Sequence, residues 1–236
     1  MILKRTTSSN NPDHEHWISV SDLMSGLMMV FLFISIALMR HAFVERDKIK
    51  DVAKAYETTQ IAIYESLKSE FEPDLQRWSA KINKDTLSVE FEDTEVLFQM
   101  GSATLQPRFE EILNDFFPRY IKSLKPYRNS ITEIRIEGHA SSYWSIDATP
   151  ERAYANNMVL SQARTRSVLF YILNMTRTNE EKDWLRKHIA AIGFSSSHLV
   201  MKNGREDPRA SRRVTFRLLT NAEQQIRRIL GSENEN

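Results

Sequence analysis

The stretch that most limits what this chain can fold into is Trp17 to Met39, WISVSDLMSGLMMVFLFISIALM, which is apolar throughout apart from a few small polar residues and one acid, Asp22. A helix of about 20 apolar residues crosses the hydrocarbon core of a bilayer. A secretory signal has a shorter apolar region, roughly 7 to 15 residues, followed by a small-residue cleavage site. Here the run passes straight into Arg40 and His41 without an Ala-x-Ala signal, so the expectation is an uncleaved transmembrane helix with Trp17 at one interface. Bulk composition conceals this helix, because 27% of all residues are charged. The net charge of +1 offers no general attraction to an acidic partner. Cysteine is absent, which excludes disulfides, thiolate metal sites and Cys nucleophiles.

Asp22 needs an explanation, since an acid deep in a bilayer costs about 2.5 to 3.5 kcal/mol on insertion scales. It lies roughly 7 to 8 Å past Trp17 at about 1.5 Å per residue, inside the span but off-centre. Ser19, Asp22, Ser25 and Gly26 recur at intervals of three and four, so a helix places them on one polar, small-residue face suited to close packing with other helices. Asp22 is the candidate ion carrier, with Ser19 and Ser25 as support along the path. The bland alternative is that Asp22 marks a shallow boundary and the span starts at Leu23. A carboxylate enclosed by protein favours its neutral form, the property a reversible proton carrier needs. One helix cannot enclose such a path, so a multi-span partner is implied.

The organisation expected along the chain is a tail over 1–16, the membrane helix over 17–39, a helical linker over 40–73, a folded domain over 74–222 and a tail over 223–236. His14 and His16 are too few for a metal site. In the linker Ile49, Val52, Tyr56, Ile63, Leu67 and Phe71 form an apolar stripe, and Pro73 is expected to end the helix. Either a second copy of the chain or the chain's own domain must cover that stripe. Beyond Pro73 the period changes. Leu87, Val89 and Phe91 alternate with polar residues as a strand does, as do Ile134 and Ile136, then Val214, Phe216 and Leu218, with a further strand at Ile189–Ile192. Helices are expected from Pro107 through Ile121 and from Ala153 to Asn174. The fold class is therefore α+β: one N-terminal transmembrane helix, a helical linker and a two-layer α/β sandwich.

Gly138-His139, Asn157, Leu160-Ser161, Arg164, Gly193 and Arg212-Arg213-Val214, preceded by Phe98–Leu105 (FQMGSATL), occur in the order found in OmpA-like peptidoglycan-binding domains, which residues 85 to 220 resemble. The resemblance implies a groove for the peptide stem of peptidoglycan lined by Asn156, Asn157, Leu160, Arg164, Ser141 and Arg213. In it the Arg of the N-x-x-L-S-x-x-R stretch, Arg164, takes the free carboxylate of diaminopimelate. A guanidinium does this with two parallel hydrogen bonds. This chain departs from the family at Gly138-His139-Ala140-Ser141, where Thr-Asp usually follows Gly-His, so the acid that holds the ligand's ammonium is missing. Asp147 or Glu151 replaces it, or the grip is weaker, or the domain serves only dimerisation.

No enzyme is expected: His139 and Ser141 lack a third member and a nucleophile elbow. Arg205, Arg209, Arg212, Arg213 and Arg217 are basic, yet no nucleic-acid motif accompanies them and no direct nucleic-acid partner is expected. A span bearing an Asp joined to an OmpA-like domain resembles the MotB-like B subunits of flagellar stators. The run from Ser21 to Phe33 (SDLMSGLMMVFLF) is closer to the ZorB family of the Zorya anti-phage defence system. That resemblance implies a homodimer inside a ring of five ZorA-like (MotA-like) multi-span subunits in the bacterial inner membrane, anchored to peptidoglycan. It carries no cofactor and moves H⁺, or Na⁺ if further oxygens are supplied. Flanking charge alone, Lys4 and Arg5 against Arg40, Arg46, Lys48, Lys50 and Lys54, favours a cytoplasmic C-terminus. The resemblance requires the reverse, with the C-terminal domain periplasmic. A flagellar stator and a static peptidoglycan tether without ion flux are the rival readings.

Overall fold

The computed structural model describes residues 12–92 and 94–221, apart from the side chains of residues 12–19, 52, 55, 56 and 95. The expected tails lie outside the described residues, the first as far as Asn11 and the second throughout. The chain divides into two compact units, Met1–Asp51 and Val52–Asn236.

In the first unit the chain is helical from Pro12, where helix α1 (Pro12–Leu75) begins. Proline suits that position because the first N–H groups of a helix have no partner to lose. Over Val20–Asp51 the helix is long and apolar enough to cross a membrane. Leu23, Met28, Phe31, Phe33 and Leu38 are exposed around it, and a helix apolar over most of its circumference is one made for lipid or for partner helices.

The second unit begins with the last turns of α1. Ile63, Leu67 and Phe71 repeat every four residues and are fully buried in the domain core. Of the two coverings weighed for the linker stripe, the domain itself takes this half. Ile49 is exposed, and the side chains of Val52 and Tyr56 lie outside the described residues. Pro73 sits inside the helix instead of ending it. Its ring removes one backbone bond, and α1 stops two residues later, so little helix is left to kink.

Strands β1 (Ala80–Asn83) and β2 (Ser88–Glu92) form an antiparallel hairpin. The short helix α2 (Thr94–Leu97) leads to α3 (Pro107–Leu124), a 3-10 turn over Lys125–Ser130 and β3 (Ile131–His139). The long helix α4 (Pro150–Met175) and α5 (Asn179–His188) then cross over to β4 (Ile189–Ser195), which pairs parallel to β3. A small hairpin, β5 (Met201–Lys202) and β6 (Arg205–Glu206), precedes α6 (Pro208–Ser211) and β7 (Arg213–Thr220). The main sheet runs β1-β2-β7-β3-β4, so the last strand in sequence is the middle one, antiparallel to both neighbours.

This is the expected two-layer α/β sandwich, with α3 and α4 on one face of the sheet. Val89, Phe91, Ile134, Ile136, Val214, Phe216 and Leu218 all lie in the core, as period-2 alternation requires of one sheet face. Phe216 is ringed by Phe91, Phe116, Phe117 and Tyr120 at centroid distances of 5.1 to 6.3 Å. Arg119 of α3 ties down the end of α1: its Nε and Nη1 donate to Glu70 at 2.7 Å and Asp74 at 2.8 Å, and its guanidinium lies over Phe71. Hydrogen bonding to Glu70 is the main reason its pKa is raised above the usual arginine value. Short elements not anticipated are β1, α2, the 3-10 turn, α5, the β5–β6 hairpin and α6.

Candidate functional site

Helix α4 carries most of the expected groove residues, and its seating explains where each one points. Thr149 caps its N-terminus by accepting from Arg152 N, with Pro150 at the first position. Ala153, Asn157, Ser161, Thr165, Val168 and Ile172 form the buried stripe against the sheet. The helix comes so close to β3 and β4 that a Cβ on Gly138 would lie 2.7 Å from Ser161 O, and one on Gly193 would lie 2.5 Å from Gln162 N. Polar bonds seal this contact. Ser195 N donates to Ser161 Oγ at 3.1 Å, Gly193 N donates to Gln162 Oε1 at 2.7 Å, and Gln162 Nε2 donates to Ala191 O at 3.1 Å.

Asn157 is thus a buried residue. Its Nδ2 donates to Ser141 O at 3.1 Å and Tyr143 O at 3.2 Å, which fixes the loop leaving β3. Ser141 is buried at the base of that loop, while Asn156 and Leu160 are half-buried on the adjoining side of α4. Two turns further along, Arg164 Nε donates to Ser102 O at 3.0 Å, and the guanidinium lies 4.9 Å over the Phe98 ring. The Phe98–Leu105 segment makes this possible by folding back on itself: Phe98 bridges Leu105, Gln99 N donates to Thr104 O at 3.1 Å, and Gly101 takes φ +66°.

Burial, with Arg212 close by as a second cause, pulls the Arg164 pKa down to about 10, which leaves it cationic at neutral pH. No carboxylate among the described residues pairs with it. Seven residues along a helix correspond to a rise of about 10 Å, so Asn157 and Arg164 lie two turns apart along one side of α4. A half-buried guanidinium with one N–H committed and its remaining donors unpaired by any acid is suited to an anion such as a carboxylate.

In the first unit, Asp22, Ser25 and Gly26 share one face of α1 and are exposed, and Ser25 Oγ donates to Ser21 O at 2.8 Å. A Cβ on Gly26 would meet nothing within 4 Å. The side chain of Ser19 lies outside the described residues.

Against known proteins, this chain is 51% identical over 230 residues to Zorya protein ZorB of Escherichia coli (strain Crooks), covering 97% of this chain and 98% of that one. The chain belongs to the ZorB family. Residues 97–213 of this ZorB-family chain match the OmpA family. Solved structures similar in fold include a putative MotB-like protein from Desulfovibrio vulgaris, 21% identical with a TM-score of 0.49, covering 72% of this chain and 94% of that one. The cell wall anchor of the T6SS from Pseudomonas aeruginosa is 19% identical with a TM-score of 0.44, covering 65% of this chain and 96% of the other.

One expected groove residue of this ZorB-family chain sits elsewhere. Arg213 belongs to the sheet face turned away from α4, where it lines a cavity of about 210 Å³ with Glu90, Glu137, His139 and Thr215, and its Nε is 3.5 Å from Glu90 Oε2. Strand alternation is the reason: Val214 enters the core, so Arg213 faces away from it. Arg212, one residue earlier, is the basic neighbour of Arg164. A residue the sequence reading missed is Glu206 on β6, whose carboxylate accepts from Ser142 N at 3.0 Å and from Ser142 Oγ. Spacing alone could not reveal it, because it is 64 residues from Ser142. Asp147 and Glu151, weighed as substitutes for the missing acid, are both exposed. The Glu151 carboxyl is held below its usual pKa first by its own backbone N–H and then by the Thr149 hydroxyl.

Proposed function

We propose that this chain is the B subunit of an ion-driven motor of the bacterial inner membrane that serves anti-phage defence. Two copies stand inside a ring of five ZorA-like subunits, Asp22 carries protons, and the C-terminal domain grips peptidoglycan as the fixed point for torque. The observation that carries the reading is Arg164, a half-buried cation presented on α4 without an acidic partner among the described residues. The same chain bears Asp22 in its membrane-length helix, and a tether has no use for an acid at membrane depth. Each charge crossing the membrane supplies about 2.3 kcal/mol per 100 mV, enough for a few protons to drive a large conformational step. Peptidoglycan lies outside the inner membrane, so the N-terminus is cytoplasmic and the C-terminal domain periplasmic, against the count of flanking charges.

Two substitutions test the two halves. Asp22→Asn in the assembled complex is expected to abolish ion flux and phage protection while leaving assembly intact; undiminished protection would reduce the chain to a static tether. Arg164→Ala is expected to release the domain from sacculi in a sedimentation assay, and unchanged co-sedimentation would remove the anchor. Protection in cells lacking flagellar motility, lost when the ZorA-like partner is deleted, separates defence from a flagellar role.

A further inference from the structure

The sheet face turned away from α3 and α4 is more than a solvated surface. Outward side chains of β2, β3 and β7, with Phe194 and His198 to one side, enclose the cavity of about 210 Å³ that Arg213 lines. Eight buried side-chain nitrogen or oxygen atoms among the described residues lack a hydrogen-bond partner, and six of them belong to residues lining this one cavity. They are Glu137 Oε1, both ring nitrogens of His139, Arg213 Nε, Thr215 Oγ1 and Arg217 Nε. Glu137, His139 and Thr215 are each more than nine-tenths buried. Folded proteins leave few such atoms unsatisfied, so their concentration in one place marks a space that holds something polar. The ion pairs at its walls are long, Arg213 Nε to Glu90 Oε2 at 3.5 Å and Arg217 Nη1 to Glu137 Oε1 at 3.9 Å. Gaps of that length suit a group bonded to both sides.

The cavity's chemistry defines what it takes. Its charges balance, Glu90 and Glu137 against Arg213 and Arg217, so a lone anion or cation would be repelled by one pair as it is attracted by the other. Its unsatisfied atoms include donors, the two arginine Nε–H groups, and acceptors, Glu137 Oε1 and one nitrogen of a neutral His139. The occupant must therefore both accept and donate, as hydroxyls do. One flank is aromatic: Phe194 stacks on His139 at 5.4 Å and meets the His198 ring at 4.9 Å. The volume of about 210 Å³ equals about seven waters at ~30 Å³ each, room for one sugar ring and no more. We propose that this cavity binds a neutral polyhydroxy ligand of monosaccharide size. Its hydroxyls bridge the guanidinium and carboxylate groups, and its C–H face packs against Phe194 and His198. The site lies on the opposite side of the sheet from α4 and is independent of the reading of Arg164. A free sugar and the end of a glycan chain offer the same chemistry.

The test uses the full chain in detergent with isotopically labelled arginines. The Nε–H resonances of Arg213 and Arg217, assigned with Arg213→Lys and Arg217→Lys, are followed by NMR as glucose, diacetylchitobiose, sodium acetate or methylammonium chloride is titrated. Glucose is expected to shift both resonances saturably, and the two charged probes to leave them unmoved. Tighter saturation by diacetylchitobiose than by glucose assigns the ligand to a glycan end, and a response to glucose alone assigns it to a free sugar. Thr215→Val removes one unpaired hydroxyl and no charge, and is expected to weaken glucose binding about twofold to tenfold, the span of one hydrogen bond. Glu137→Gln is expected to weaken it as well, with the fold of both variants checked by circular dichroism, whereas Arg164→Ala is expected to bind glucose like wild type. If neither sugar moves the two resonances, the cavity holds water only and the assignment is overturned. Binding of acetate or methylammonium in place of the sugars overturns it too, as does a glucose affinity unchanged in both Thr215→Val and Glu137→Gln, which places the sugar outside the cavity.

Discussion

His139 is stacked on Phe194 at 5.4 Å, with the His198 ring 5.9 Å away and Glu137 Oε2 at 3.4 Å from its Nε2. Burial is the first cause holding its pKa below the ordinary histidine value of 6.5; the Glu137 contact works the other way, and Arg213 and His198 act on the side of burial. The folded domain therefore resists a proton that the unfolded chain accepts near 6.5. Stability is full above that pH and is lost as pH falls below it toward the folded-state pKa, because the unfolded chain there binds more protons. Denaturant midpoints measured from pH 7.5 to 5 should decline, and His139→Gln should flatten that part of the decline; an unchanged slope would refute the assignment. In the sequence, His139 read as part of a Gly-His motif. Its environment comes from the sheet face assembled from β2, β3, β4 and β7, which no local pattern displays. Asn157 shows the same limit: the motif placed it at the groove, but only the packing reveals that its amide is spent on the Ser141–Tyr143 loop.

At the level of elements, the seating of α4 on β3 and β4 depends on two glycines. A Cβ at Gly193 would approach Gln162 N to 2.5 Å and Gln162 Cα to 2.8 Å, so backbone must move. Gly193→Ala is expected to destabilise the domain by about 1 to 3 kcal/mol, the usual cost of overpacking, and to weaken peptidoglycan co-sedimentation because the groove side of α4 shifts with it. Equilibrium unfolding and the sedimentation assay check the two effects. The elements legible in the sequence were those with long amphipathic or alternating patterns: α3 from Pro107, α4, β2, β3, β4 and β7. The ones overlooked were short or polar. β1 has only four residues, all at least partly exposed, and α5 buries Leu185 alone. Such segments are ordered by what they dock against, and propensity in a window so short decides nothing.

Across the whole molecule, the boundary between linker and domain falls earlier than Pro73, because Ile63, Leu67 and Phe71 are core residues of the second unit. Burying a large apolar side chain contributes about 1.5 to 3 kcal/mol. Removing all three forfeits an amount comparable to the whole stability of a domain, about 5 to 15 kcal/mol. A fragment starting at Val52 should be folded and cooperative in thermal unfolding, whereas one starting at Pro73 should be unfolded or aggregated; equal melting curves would contradict the boundary. The sequence by itself determined the membrane-length helix, the single acid Asp22 within it, the alternation of strands and helices, and the family to which the domain belongs, because each is written in local periodicity or motif order. The tertiary structure alone decided that half of the linker stripe belongs to the core, that Arg213 faces away from the groove while Arg212 stands by Arg164, and that Glu206 reaches Ser142. Those outcomes depend on which strand lies beside which and on residues far apart in the chain meeting in space, and a one-dimensional pattern carries no record of either.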